Sequence, residues 1–229
     1  MTRTTNARIA GIAFLAYIAV GIAALVVFGR AARGDGVGAR IASIAQHTTE
    51  VGVVVLLALL ACFAALVLAV TIHALTRDED ADLALFALVC RVIEAVPGFT
   101  GTLGLLWLAT SPAAQSLDAG AAHALAAFLL RGEGGAGAIF FAVASTVYSW
   151  LFLRGGMIPA WLARLGIVAS ALLVFVLPLQ LAGLMGGPMA WTSAIAWIVW
   201  LPMLVYELVL AVWLIVRGAA IRSASAKSR

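Results

Sequence analysis

Three charged side chains, Arg91, Glu94 and Glu207, stand in runs of chain that are otherwise apolar. A charge at the centre of a lone membrane helix costs about 2.5–3.5 kcal/mol on insertion scales, so each is expected to have a partner. Arg91 and Glu94 are three residues apart and share a helix face. At about 1.5 Å of rise per residue, Arg91, Glu94 and Glu207 lie about 12, 16 and 15 Å from one membrane side. That common depth predicts a single cluster in which Arg91 touches both acids. One permanent cation against two carboxylates leaves a net charge of minus one. A proton or a bound cation would neutralise it, because two close buried carboxylates do not readily both ionise. The set is a candidate proton or ligand site. It is also a candidate structural clamp between two helices, since a buried arginine needs counter-charges whether or not chemistry occurs.

Hydroxyls fall at related depths: Tyr17, Ser145, Tyr148, Ser149 and Ser170. Together they are expected to line a polar cavity opening to the same side as the charges. Each alone is also explained by bonding to its own helix or a neighbouring one.

The histidines divide by geometry. His47 and His73 are about 39 Å apart along a helix and cannot share a metal. His47, Glu50 and His123 fall on the opposite side from His73, and His47 and Glu50 have a ligand-compatible spacing of three. No HExxH or comparable motif fixes this set, so capping and loop packing are the expected roles and no metal is expected. There is no GxSxG, and no serine, histidine and aspartate converge at one depth to form a hydrolase triad. No cofactor is expected.

The elements that must carry these residues follow from composition. Of 229 residues, 65% are hydrophobic and 10% charged, with a mean hydropathy of +1.14. A soluble domain is about half apolar and a quarter charged, so the chain reads as an integral membrane protein. The isoelectric point near 9.7 rests on only 14 basic against 10 acidic groups. No basic run is interleaved with exposed aromatics, and nucleic acid is not an expected partner. Cys62 and Cys90 sit inside apolar runs with no CxxC pattern, which argues against a disulfide framework.

About 20 apolar residues are needed per crossing. The gaps between charges give spans at Ile9 to Gly29, Val51 to Thr76, Leu83 to Thr110 and Gly134 to Leu153. The first is longer than the hydrophobic stretch of a signal peptide and is expected to be retained. From Leu165 to Tyr206 runs about 60 Å of uncharged helix, twice the membrane thickness. Gly186, Gly187 and Pro188 are expected to break it, giving spans Trp161 to Leu184 and Ala190 to Arg217. The fold class expected is therefore all-α, a polytopic transmembrane bundle of six spans. A short interfacial helix at Leu117 to Leu130 occupies the third loop, and residues 30–46 form a glycine-rich loop. Residues 1–220 form one domain and 221–229 a polar tail. Trp107 and Trp191 fall near one boundary and Trp150, Trp161 and Trp213 near the other, as an aromatic belt would.

Six spans put both termini on one side. That side carries Arg3, Arg8, Arg77, Arg154, Arg164, Arg217, Arg222, Lys227 and Arg229, against Arg30, Arg33, Arg40 and Arg131 on the other. The positive-inside rule then places both termini in the cytoplasm. Arginine abundance with a single lysine, and the weight of alanine, glycine and valine, point to a GC-rich bacterial genome and its cytoplasmic membrane.

Four segments carry a resemblance: Arg8-Ile9-Ala10-Gly11, Arg91-Val92-Ile93-Glu94, the run from Gly155-Gly156-Met157-Ile158-Pro159 to Gly166, and Tyr206-Glu207-Leu208 through Trp213-Leu214 to Arg217-Gly218. In these the chain resembles a bacterial membrane family known as domain of unknown function 4386. The resemblance implies a small polytopic membrane protein and no particular reaction. Three readings stay open at this point. One is a protein that binds or transports a small or lipophilic ligand with proton coupling. Another is a non-catalytic assembly subunit, with a second copy or another membrane protein as partner beside the lipid. The third, an intramembrane enzyme, ranks behind both.

Overall fold

In the computed structural model, residues 2–132, 136–184 and 194–219 are described. Nine helices run through them: α1 (Arg3–Ala31), α2 (Val37–Gln46), α3 (Thr48–Thr76), α4 (Ala81–Thr110), α5 (Pro112–Gln115), α6 (Ala119–Gly132), α7 (Ala136–Gly155), α8 (Ala160–Leu181) and α9 (Ala194–Val216). Six of them, α1, α3, α4, α7, α8 and α9, are long and apolar enough to cross a membrane. They are helical because an apolar chain can satisfy its backbone in lipid only within the segment itself. Large apolar side chains face outward along them, among them Leu56, Phe63, Phe86, Phe175 and Ile198.

Each of the six packs against the next along the chain, and α9 closes on α1, so the long helices form a ring in the order α1, α3, α4, α7, α8, α9. Consequently α4 and α9 sit opposite each other. Small residues set the closest approaches. A Cβ on Gly11 would stand 2.5 Å from Ala211 O, which brings α1 against α9. On Gly166 a Cβ would meet Ser149 Oγ and lie 2.5 Å from the Tyr206 ring, so α8 nests between α7 and α9 only because that position lacks a side chain.

The Gly155 to Gly166 run is architectural. Gly156 takes φ +59, and the Met157 and Gly156 amides bond back to Phe152 O at 3.0 Å and Leu153 O at 3.2 Å. This is the glycine-ended helix terminus in which a left-handed residue lets the last carbonyls be satisfied. Pro159 then caps α8, accepting from the Leu162 and Ala163 amides. The same device at Gly183 (φ +76) ends α8 at Leu181, three residues before the expected Leu184. The expected break at Gly186, Gly187 and Pro188, the expected belt position of Trp191 and the tail at 221–229 lie outside the described residues.

One end of the bundle gathers the start of α1, the α3–α4 turn, the α7–α8 turn and the end of α9. There Asp80 caps α4 through the Leu83 amide and pairs with Arg154 at 3.3 Å, while Asp78 faces Arg3 at 3.9 Å. The opposite end carries a correction: the 30–46 segment, expected as a loop, contains α2. Its Ile44 is buried with Phe28, Ala31, Ala32, Val51, Val54 and Leu105 in a second core, against which Leu129 and Leu130 of α6 also pack. A helix forms because burying Ile44 gives α2 an apolar side to dock, which outweighs its glycine content. The expected interfacial helix is α6, and α5 precedes it.

Candidate functional site: a buried charged centre

Arg91 projects from α4 into the middle of the ring, with its side chain 4% exposed. Its Nη1 lies 2.9 Å from Glu94 Oε2, one turn along the same helix, and the Glu94 side chain is 7% exposed. Tyr17 of α1 donates to Glu94 Oε1 at 2.8 Å. The guanidinium carbon sits 5.6 Å from the Tyr17 ring and 5.1 Å from the Phe141 ring of α7. A cation between aromatic faces gains attraction that water would otherwise supply. Gly137 admits α7 to this level, since a Cβ there would lie 3.3 Å from Glu94 O.

Glu207 of α9 is buried, and its Oε1 has no hydrogen-bond partner. The expected contact with Arg91 is corrected here: no salt bridge joins them. The Arg91 guanidinium is held instead by Glu94 of its own helix and by the Tyr17 ring of α1 and the Phe141 ring of α7, and Glu207 is not among its ion-pair partners. Equal depth along two helices does not fix their direction around the axis.

The predicted hydroxyls divide. Ser149 is fully buried and donates to Tyr206 OH at 2.8 Å. Tyr148 donates to Ala69 O of α3 at 3.4 Å. Ser170 bonds Gly166 O at 2.6 Å and lies 2.8 Å from Thr146 Oγ1, so it serves the α7–α8 seam. Where a polar cavity opening to one side was expected, the ring holds a space of about 10 Å³ touched by Arg91, Ser145, Tyr148 and Tyr206, with apolar side chains completing its wall. Tyr17, Ser149 and Ser170 are not part of that wall. Phe14 and Phe152 are among the apolar side chains that line the space.

Tyr206 and Phe141 were not singled out from sequence. Tyr206 adjoins Glu207 and lies opposite Gly166 of the quoted run, a signal that the approach of two helices makes meaningful only in three dimensions. His47 Nδ1 donates to Ser43 O at 2.8 Å, and among the described residues no group of three or more His, Cys, Asp or Glu side chains is gathered that could hold a metal. His47, Glu50 and His123 are thus not brought together.

Fold and site together define a class: a six-helix, membrane-type bundle that encloses a charged pair, a further carboxyl and several hydroxyls. Within that class the chain belongs to the family described as a domain of unknown function (DUF4386), whose model matches residues 9–218. The match takes in Arg91, Glu94 and Glu207. No curated protein and no solved structure matches the chain.

Proposed function

We propose that this membrane protein exchanges a proton at the centre formed by Arg91, Glu94 and Glu207, in step with binding or transport of a small or lipophilic ligand. The observation that carries the reading is the imbalance of buried charge: Arg91 is matched by Glu94, and Glu207 remains with an unpartnered oxygen. A buried carboxyl without a cation is stable only when a proton or an incoming charge neutralises it. Tyr17, Tyr148 and Ser149 are the hydroxyls placed to orient this exchange. The bundle lies in a bacterial cytoplasmic membrane with both termini in the cytoplasm, a placement supported by the arginine-rich terminal end.

A second reading is favoured by one observation. The central space of about 10 Å³ admits nothing larger than a water. That suits an assembly subunit whose Arg91, Glu94 and Tyr17 simply clamp α4 to α1.

Proton entry into liposomes separates the two. With a pH-sensitive dye trapped inside and a potassium diffusion potential imposed by valinomycin, the native protein is expected to acidify the interior faster than Glu207→Gln. Equal rates for the two proteins would remove the proton reading and leave the clamp.

A further inference from the structure

Two sets of buried hydrogen-bonding groups stop short of each other at the central cavity. One is Tyr17, Glu94 and Arg91; the other is Ser149 and Tyr206. Among the described residues no direct hydrogen bond joins them. Arg91 and Tyr206 both touch the cavity, as do Tyr148 and Ser145.

The polar residues that line this space have bonding capacity left over. Arg91 Nη2 is buried with no partner. An orphaned buried donor costs about 1–3 kcal/mol, and more when charged. Tyr206 OH accepts from Ser149, which leaves its own hydrogen free to donate. Tyr148 OH gives its hydrogen to Ala69 O and keeps its lone pairs free. Ser145 adds a hydroxyl that both donates and accepts.

We infer that this cavity is a binding site for a single water molecule that links the Arg91–Glu94 pair to the Tyr206–Ser149 pair. A cavity needs about 10–15 Å³ and two to four polar partners to hold a water, and both conditions are met. The water accepts from Arg91 Nη2 and Tyr206 OH and donates to Tyr148 Oη and Ser145 Oγ, which uses both of its own hydrogens and both of its lone pairs. One hydrogen-bonded chain then runs from Tyr17 on α1 through α4 and α9 to Ser149 on α7. The site is independent of the proton reading, because a dry cavity would leave exchange at Glu207 untouched.

Radiolytic hydroxyl labelling of the full chain in lipid nanodiscs, read by mass spectrometry, tests the site. Radicals born from a bound water oxidise the side chains beside it even when bulk solvent cannot reach them. Tyr148 and Tyr206, at 4% and 2% exposure, are expected to gain oxygen several-fold faster than Phe28, which is buried at 8% in the other core. Ser145→Leu and Leu210→Phe fill the cavity from α7 and α9, and whichever of them folds is expected to lose the excess labelling. Native Tyr148 and Tyr206 labelling no faster than Phe28 would overturn the inference, as would undiminished labelling in a folded cavity-filling variant. The native comparison decides by itself if neither variant folds.

Discussion

Arg91→Ala is expected to lower the stability of the bundle by about 3–5 kcal/mol, the cost of leaving one partner of a buried ion pair alone. The substitution strands Glu94, whose Oε2 faces Arg91 at 2.9 Å, and empties the space between the Tyr17 and Phe141 rings. Tyr17 still donates to Glu94 Oε1, which holds the loss toward the lower end of that range. Glu207→Gln is expected to cost less than about 1 kcal/mol, because the amide keeps the shape of a carboxyl that has no direct ionic partner to lose. Thermal unfolding of both variants in one detergent measures the difference as a fall in Tm. Equal losses would mean that Glu207, and not Glu94 alone, balances Arg91.

Gly166→Val is the second large effect. Its Cβ would meet Ser149 Oγ and two Tyr206 ring atoms, and the Ser149–Tyr206 hydrogen bond keeps that ring from yielding. Overpacking a filled interior costs about 1–3 kcal/mol, occasionally more. Replacing a helical glycine by valine gains only roughly 0.4 kcal/mol in helix propensity, so the two terms oppose. Here the clash wins, since three helices would have to separate. Gly52→Ala on α3 is the matched control: nothing lies within 4 Å of its Cβ, and the propensity term acts alone. Tm is expected to fall for Gly166→Val and to hold or rise for Gly52→Ala; a fall of the same size in both would show that Gly166 marks no special contact.

Much of the architecture was legible because a membrane penalises charge so heavily. Gaps between charged residues located all six long helices, with ends displaced by a few residues where glycine-ended termini at Gly156 and Gly183 fix the stop. The Arg91–Glu94 pair was legible because spacing of three on one helix fixes both depth and direction. Glu207 was expected to touch Arg91 and forms no salt bridge with it. Its direction depends on the order of helices around the ring, which no single-helix rule contains. Likewise α2 was hidden, because Gly34, Gly36 and Gly38 dominate a segment whose helical character comes from burying Ile44 against α1, α3 and α4. The cavity's modest size was illegible for a related reason. Counting hydroxyls shows what polar groups are present but not that Phe14 and Phe152 line the space with them.

Proton exchange at this centre requires that Glu207, buried with an unpartnered oxygen, be neutralised by a proton. Infrared difference spectroscopy of the protein in lipid reads this directly through the carbonyl stretch of a protonated carboxyl and its shift in heavy water. In mildly acidic buffer the native protein is expected to show that band, Glu94→Gln to retain it, and Glu207→Gln to lose it. A native spectrum without the band, or a band that survives in Glu207→Gln, would contradict a proton at this centre.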